Sequence, residues 1–191
     1  ERQAAALVMS SHGRIGVARL LVGSVTFTVA QRARQPLIVV RARVPVPAPN
    51  TAVHLSPVLV PLDGSSLAEE TIDTTLQLLG HGTEPLDLHL LHVLTDDEQP
   101  AEWERYLEGV AQRIRSRGYR VDWSLAHGPV AETIAAEAAR RHAGLIAMGT
   151  HGMSGVRRVL LGSTAEHVLD PSAVPQLLHR PRAARRIVEE T

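Results

Sequence analysis

From residue 57 to residue 180 the sequence alternates without interruption between short apolar runs and amphipathic stretches. This alternation limits the fold more than any other feature. The run 57–63, PVLVPLD, is continuously apolar up to its final Asp, as a buried parallel strand would be. Residues 65–79 begin with Ser and acidic residues and space Leu67, Ile72, Leu76 and Leu79 at helical intervals. The same logic predicts strands at 86–94, 119–127, 144–149 and 175–180, and helices at 101–117, 130–142 and 163–169. The polarity of 119–127 alternates in a way that suits a sheet edge. Such a β-α-β succession predicts an α/β fold, an open parallel sheet with helices on both faces. Ligands of such sheets sit beyond the carboxyl ends of the strands, where strand order reverses. Two of these ends carry distinctive chemistry: Asp63 closes the first strand and Gly149 the fourth.

The chain also repeats itself. At an offset of 139, residues 1–43 align with 140–182 without a gap, and 15 of the 43 pairs are identical, among them Met9/Met148, His12/His151, Gly13/Gly152, Gly23/Gly162 and Pro36/Pro175. A period this long points to duplicated domains rather than a solenoid. The expected organisation is therefore the C-terminal part of a first domain (1–43), a Pro-rich extended linker (44–53), a complete second domain (54–181) and a tail (182–191). The front part of the first copy is missing and the chain opens on Glu1. Both facts lead us to expect a piece of a longer protein.

Composition removes several classes of chemistry. With no cysteine the chain has no disulfide, thiolate zinc site or cysteine nucleophile. All twenty Lys+Arg residues are arginine, which excludes a Walker-type phosphate loop and a pyridoxal Schiff base. No apolar run approaches the roughly 18 residues that a membrane-spanning helix needs, so a soluble, cytoplasmic protein is expected. Seven Arg and one acid occupy residues 1–53, against ten Arg and seventeen acids in 54–181. The basic segment is scattered through apolar sequence with only Phe27 as an aromatic, which suits docking on an acidic neighbour better than nucleic-acid binding.

The segment 148–164, MGTHGMSGVRRVLLGST, places Gly149, Gly152, Gly162 and Ser163 in the pattern G-x2-G-x9-G-S. It follows a predicted buried strand and ends on a predicted helix N-terminus. That setting suits an anion, because missing Cβ atoms let backbone N–H groups approach phosphate oxygens and the helix start adds unpaired donors.

Residues 145–169, which contain this segment, together with 57–70, 88–94, 128–138 and 174–180, resemble the universal stress protein family, and residues 4–41 resemble the tail of a second such domain. The resemblance implies an α/β domain with an open parallel five-stranded sheet of strand order 3-2-1-4-5. It also implies association as dimers or tandem pairs, and ATP as cofactor with Mg²⁺ as a candidate companion. Carried over position by position, it places Pro61, Leu62 and Asp63 at the ribose or adenine side and the backbone of Val93 against the adenine. Met148 and Gly149 then frame the sugar and phosphates, and Gly152, Gly155, Gly162, Ser163 and Thr164 bind phosphate oxygens. His151 and Arg158 are further candidate phosphate contacts. The first copy departs from this pattern, with Ser10 in the place of Gly149.

Each role has a plainer competitor. Asp63 before Gly64-Ser65 can cap the following helix or a turn, and His92 within an apolar strand is the pattern of a satisfied core histidine. Trp103 and Trp123 fit packing, and Arg157 and Arg158 also fit a solvated turn. No carboxylate partner accompanies His151, which argues against a metal site. Rapid phosphoryl transfer needs cations and a group orienting the nucleophile, and this set of residues offers amides and hydroxyls instead. The expected function is nucleotide binding with slow or no hydrolysis in a stress-response or signalling module. The alternative is a nucleotide-independent dimerisation module of the same fold. Strands 36–41 and 175–180 are apolar edges that call for pairing, and antiparallel pairing of the two is expected, within the chain or with a second molecule.

Overall fold

The computed structural model describes residues 4–10, 24–33, 35–40, 54–82, 85–150, 163–169, 172 and 174–179. The elements in chain order are β1 (Leu7–Ser10), α1 (Ser24–Arg32), β2 (Leu37–Val40), β3 (Val58–Pro61), α2 (Ser66–Leu79), β4 (Asp87–Leu94), α3 (Pro100–Arg115), β5 (Arg120–His127), α4 (Val130–Arg140), β6 (Leu145–Gly149), α5 (Ser163–Leu169) and β7 (Gln176–His179). The expected linker at 44–53 and tail at 182–191 lie outside the described residues.

The strands form one sheet in the order β1-β2-β7-β6-β3-β4-β5. The five strands expected for residues 54–181 occur in the order the resemblance implied, with β3 central and β5 at the edge. Among the described residues the sheet has seven strands rather than five, because β2 pairs antiparallel with β7 and β1 pairs parallel with β2. The backbone edge of β7 accounts for this extension, since an unpaired edge buried beside apolar side chains would leave its N–H and C=O groups without partners.

Local sequence explains the elements. In β4 every residue after Asp87 is buried, and Val58, Leu59 and Val60 of β3 are fully buried, as parallel strands covered on both faces must be. Helix α2 buries Ala68, Thr71, Ile72, Thr75 and Leu76, and α3 buries Leu107, Val110, Ala111 and Ile114, each a single stripe at helical spacing. Ser65 caps α2 by accepting a hydrogen bond from the Ala68 amide at 3.1 Å. One face of the sheet packs on α2 and α3 through Val58, Val60, Leu88, Leu90, Leu145 and Leu177. The other packs on α1, α4 and α5 through Leu59, Leu91, Val93, Ile146, Met148 and Leu178.

The internal repeat is visible in the pairing. Leu7–Ser10 pair with Leu37–Val40 in the same register in which Ile146–Gly149 pair with Gln176–His179, each residue displaced by 139. At the β2–β7 junction, Leu37↔Leu178 and Val39↔Gln176 flank Ile38↔Leu177. The last two residues are themselves 139 apart, so a local two-fold axis passes through their pair. Gln176 breaks that symmetry: it stands where the first copy has Leu37, is completely buried, and neither its side-chain oxygen nor its nitrogen has a hydrogen-bond partner among the described residues. A buried amide without partners costs about 1–3 kcal/mol. Gln176→Leu should therefore raise stability by roughly that amount, read as a higher urea midpoint at unchanged slope. A lower midpoint would show that the amide has a stabilising partner.

Candidate functional site

The site begins at the point where strand order reverses. β3 pairs with β6 only at Val58↔Leu145 and Leu59↔Ile146. Both strands continue beyond this, but each stays with its other neighbour. β3 follows β4 as far as Pro61↔Leu91, and the Leu62 amide donates to the Leu91 carbonyl at 2.8 Å. β6 follows β7 as far as Gly149↔His179, and the Thr150 amide donates to the His179 carbonyl at 2.7 Å. The two halves of the sheet thus part over their last residues. Pro61, Leu62 and Asp63 form one lip of the fork, and Met148, Gly149 and Thr150 form the other.

Asp63 is half-buried and already engaged. Its Oδ1 accepts from the Ser65 amide at 3.0 Å and from the Ser65 hydroxyl at 2.6 Å, so the carboxylate orients the residue that caps α2. Gly64 between them has φ +80°, and a Cβ there would lie 3.0 Å from Cη2 of Trp103. Both the left-handed backbone and the indole above it favour glycine. Trp103 lies parallel to His92, with ring centroids 3.3 Å apart and planes within 10°. It therefore packs, as the sequence predicts, against His92 and against the Asp63–Ser65 turn at Gly64.

His92 is a satisfied core residue. Nδ1 faces the Leu62 carbonyl at 2.8 Å, an oxygen that can only accept, so this nitrogen carries a proton. Nε2 faces Glu98 Oε2 at 3.2 Å, and the same oxygen accepts from the Thr95 amide at 2.7 Å. Burial raises the affinity of the Glu98 carboxyl for its proton, but the Thr95 and His92 hydrogen bonds outweigh it and hold the group below the ordinary carboxylate range. These contacts tie the β4–α3 connection to the β3 lip.

Val93 and Met148 are buried in the same apolar cluster, on the face covered by α4 and α5. Gly149 is half-buried and closes β6. Ser163 opens α5, and Thr164 behind it is exposed. His151, Gly152, Gly155, Arg157, Arg158 and Gly162 lie outside the described residues. Trp123 also packs, with its indole N–H donating to Glu108 Oε2 at 2.8 Å. Among the described residues, no group of three or more His, Asp or Glu side chains could hold a metal ion, and no helix is long and apolar enough to cross a membrane.

A sequence model of the universal stress protein family matches residues 1–41 and 55–180. A universal stress protein of Mycobacterium tuberculosis is 28% identical over 191 residues, covering 93% of this chain and 62% of that protein. One of Bacillus subtilis is 26% identical over 145 residues, covering 64% of this chain and 97% of its own length. The chain thus spans about 62% of the length of the mycobacterial relatives it matches. Among solved structures, a universal stress protein from Archaeoglobus fulgidus superposes with a TM-score of 0.66 at 24% identity, over 93% of this chain and 61% of its own. Another, a universal stress protein in complex with cAMP, gives 0.51 at 19% identity, over 65% of this chain and 97% of its own. With the family's sequence model matching both segments and the expected strand order in place, the chain belongs to the universal stress protein family.

Proposed function

We propose that the protein is an adenine-nucleotide-binding module, with ATP held across the fork between β3 and β6 and hydrolysed slowly or not at all. The observation that carries this reading is the parting of the two strands after Leu59↔Ile146, which sets Asp63 and Gly149 on opposite lips of one crevice at the switch point of the sheet. Asp63 and the Val93 backbone would take the ribose and base. Met148 and Gly149 would take the sugar and first phosphate. The amides of Gly152, Gly155 and Gly162 with Ser163 and Thr164 would take the remaining phosphate oxygens, helped by His151 and Arg158. Mg²⁺, where present, would be carried by the phosphates, in keeping with the lack of a carboxylate cluster among the described residues. A relative crystallised in complex with cAMP supports an adenine nucleotide as the class of ligand.

The bound nucleotide would act as a state marker in a stress or signalling response and bias an interface. The β2–β7 junction supports a role in association, since antiparallel fifth strands about a local two-fold are what a pseudo-dimer requires. That junction equally favours a second reading, a nucleotide-independent interaction module. Freshly purified protein, denatured and chromatographed, should release close to one adenine nucleotide per chain. No nucleotide, together with no heat of ATP binding in calorimetry, would favour the interaction module.

Asp63→Asn keeps an oxygen for the two Ser65 donors but removes the charge. It should lower ATP affinity roughly 10- to 100-fold, the worth of a charge-assisted hydrogen bond, with little change in unfolding midpoint. Unchanged affinity in calorimetry removes Asp63 from the site. Phosphate release should stay far below the ordinary enzyme range of about 1 to 10³ per second, and a rate within that range in a malachite-green assay would overturn the non-enzymatic reading.

A further inference from the structure

A second constellation lies across β4 and β5, under the C-terminal end of α4. His89 and Asp122 are register partners on these parallel strands, and Ser124, two residues along, projects from the same face as Asp122. His89 is 3% exposed. Its Nδ1 meets Asp122 Oδ1 in a short contact, and its Nε2 lies 2.8 Å from the Ser124 hydroxyl. A carboxylate only accepts, so Nδ1 carries the proton. The Nε2 lone pair then faces the Ser124 O–H. This is the relation that activates a hydroxyl nucleophile: base at hydrogen-bond distance, base in turn oriented by a third group.

The surroundings favour the neutral imidazole. Burial lowers the proton affinity of His89 and outweighs the hydrogen bond and charge of Asp122 that raise it. Arg141 adds to the lowering and Glu137 opposes it. Arg141 is held by Asp122 at 3.4 Å and by Glu137 at 3.3 Å. Beside the histidine is a cavity of about 460 Å³, whose wall includes Asp87, His89, Arg120, Asp122 and Arg141; Ser124 is not part of that wall and is joined to it through its hydrogen bond with His89. Its two arginines face two aspartates, so it offers space without a net charge. Ser124 is half-buried on β5, a strand at the edge of the sheet.

We propose that Ser124 is an activated nucleophile that accepts an acyl group from small uncharged esters, with His89 as general base and Asp122 as the positioning residue. Ser124 Oγ attacks the ester carbonyl carbon while its proton passes to His89 Nε2. The tetrahedral adduct collapses with cleavage of the bond between acyl carbon and alkoxy oxygen, and the departing alkoxide takes the proton from Nε2. The products are acyl-Ser124 and a free alcohol. Water activated by the same histidine then releases the carboxylic acid and restores the hydroxyl. This site is separate from the nucleotide crevice: His89 precedes Val93 by four residues along β4, and neither reading depends on the other.

The test is reaction of the full chain with 4-nitrophenyl acetate, followed by 4-nitrophenol release, intact mass and peptide mapping. The absence of lysine leaves the chain few competing amines. One acetyl group should appear on Ser124, at a rate that falls as pH drops through the titration of His89 and levels off above it. Ser124→Ala should remove the adduct, and His89→Gln should slow its formation about 100-fold or more. Asp122→Asn, at an exposed position, should slow it at least tenfold and displace the pH profile without lowering the unfolding midpoint. Acetylation that spares Ser124, or a rate and pH profile unaltered in Asp122→Asn, would overturn the proposal.

Discussion

The architecture depends on β3, four residues that must satisfy two neighbours at once. Val58, Leu59 and Val60 are completely buried, and β3 pairs with β4 over its whole length but with β6 over only two residues. Strand order turns back on itself here, and the right-handed twist of each half-sheet carries the two halves apart as they leave the shared pairs. The crevice follows from that geometry. Its β3 lip is then stiffened from below, by the Leu62 carbonyl on His92, the indole of Trp103 on the imidazole, and the Asp63 carboxylate on the cap of α2.

In the proposed reading, a structural and a binding role share one side chain, Asp63. Ser65, not Asp63, caps α2, and the turn before the helix is closed by the contact of the Asp63 carboxylate with the Ser65 amide and hydroxyl. That contact places the carboxylate at the rim of the fork with a fixed orientation, which is what a pre-organised contact to a ligand would need. The charge at the first lip and the glycine at the second come from residues 86 positions apart in the chain. Only the topological switch brings them together.

Much of this was legible in the sequence because it depends on local pattern. Hydrophobic period located every strand and helix of residues 57–180 to within about two residues, and Asp63 and Gly149 stood out as unusual ends of buried strands. Relations across strands were not legible. Nothing in the spacing of His89, Asp122 and Ser124 says that β4 and β5 pair with His89 opposite Asp122, and a shift of one residue would turn the serine and the aspartate to the opposite face. Likewise, hydropathy identified Trp103 as a packing residue but could not name His92 as the ring it covers. The repeat announced a second copy, and the apolar edges announced pairing. The merger of both copies into a seven-stranded sheet needed the register of β2 on β7. Gln176 is the local exception, a polar residue in an apolar strand whose cost becomes visible only once its neighbours are known.

In the proposed function the fork between β3 and β6 receives an adenine nucleotide, while the corresponding end of β1, where Ser10 stands for Gly149, does not. Backbone hydrogen exchange measured by mass spectrometry with and without ATP tests it most directly. Exchange at 62–65 and at 148–164 should slow on addition of ATP, with 7–10 unchanged. No ATP-dependent change at either lip, or protection confined to the first copy, would contradict it.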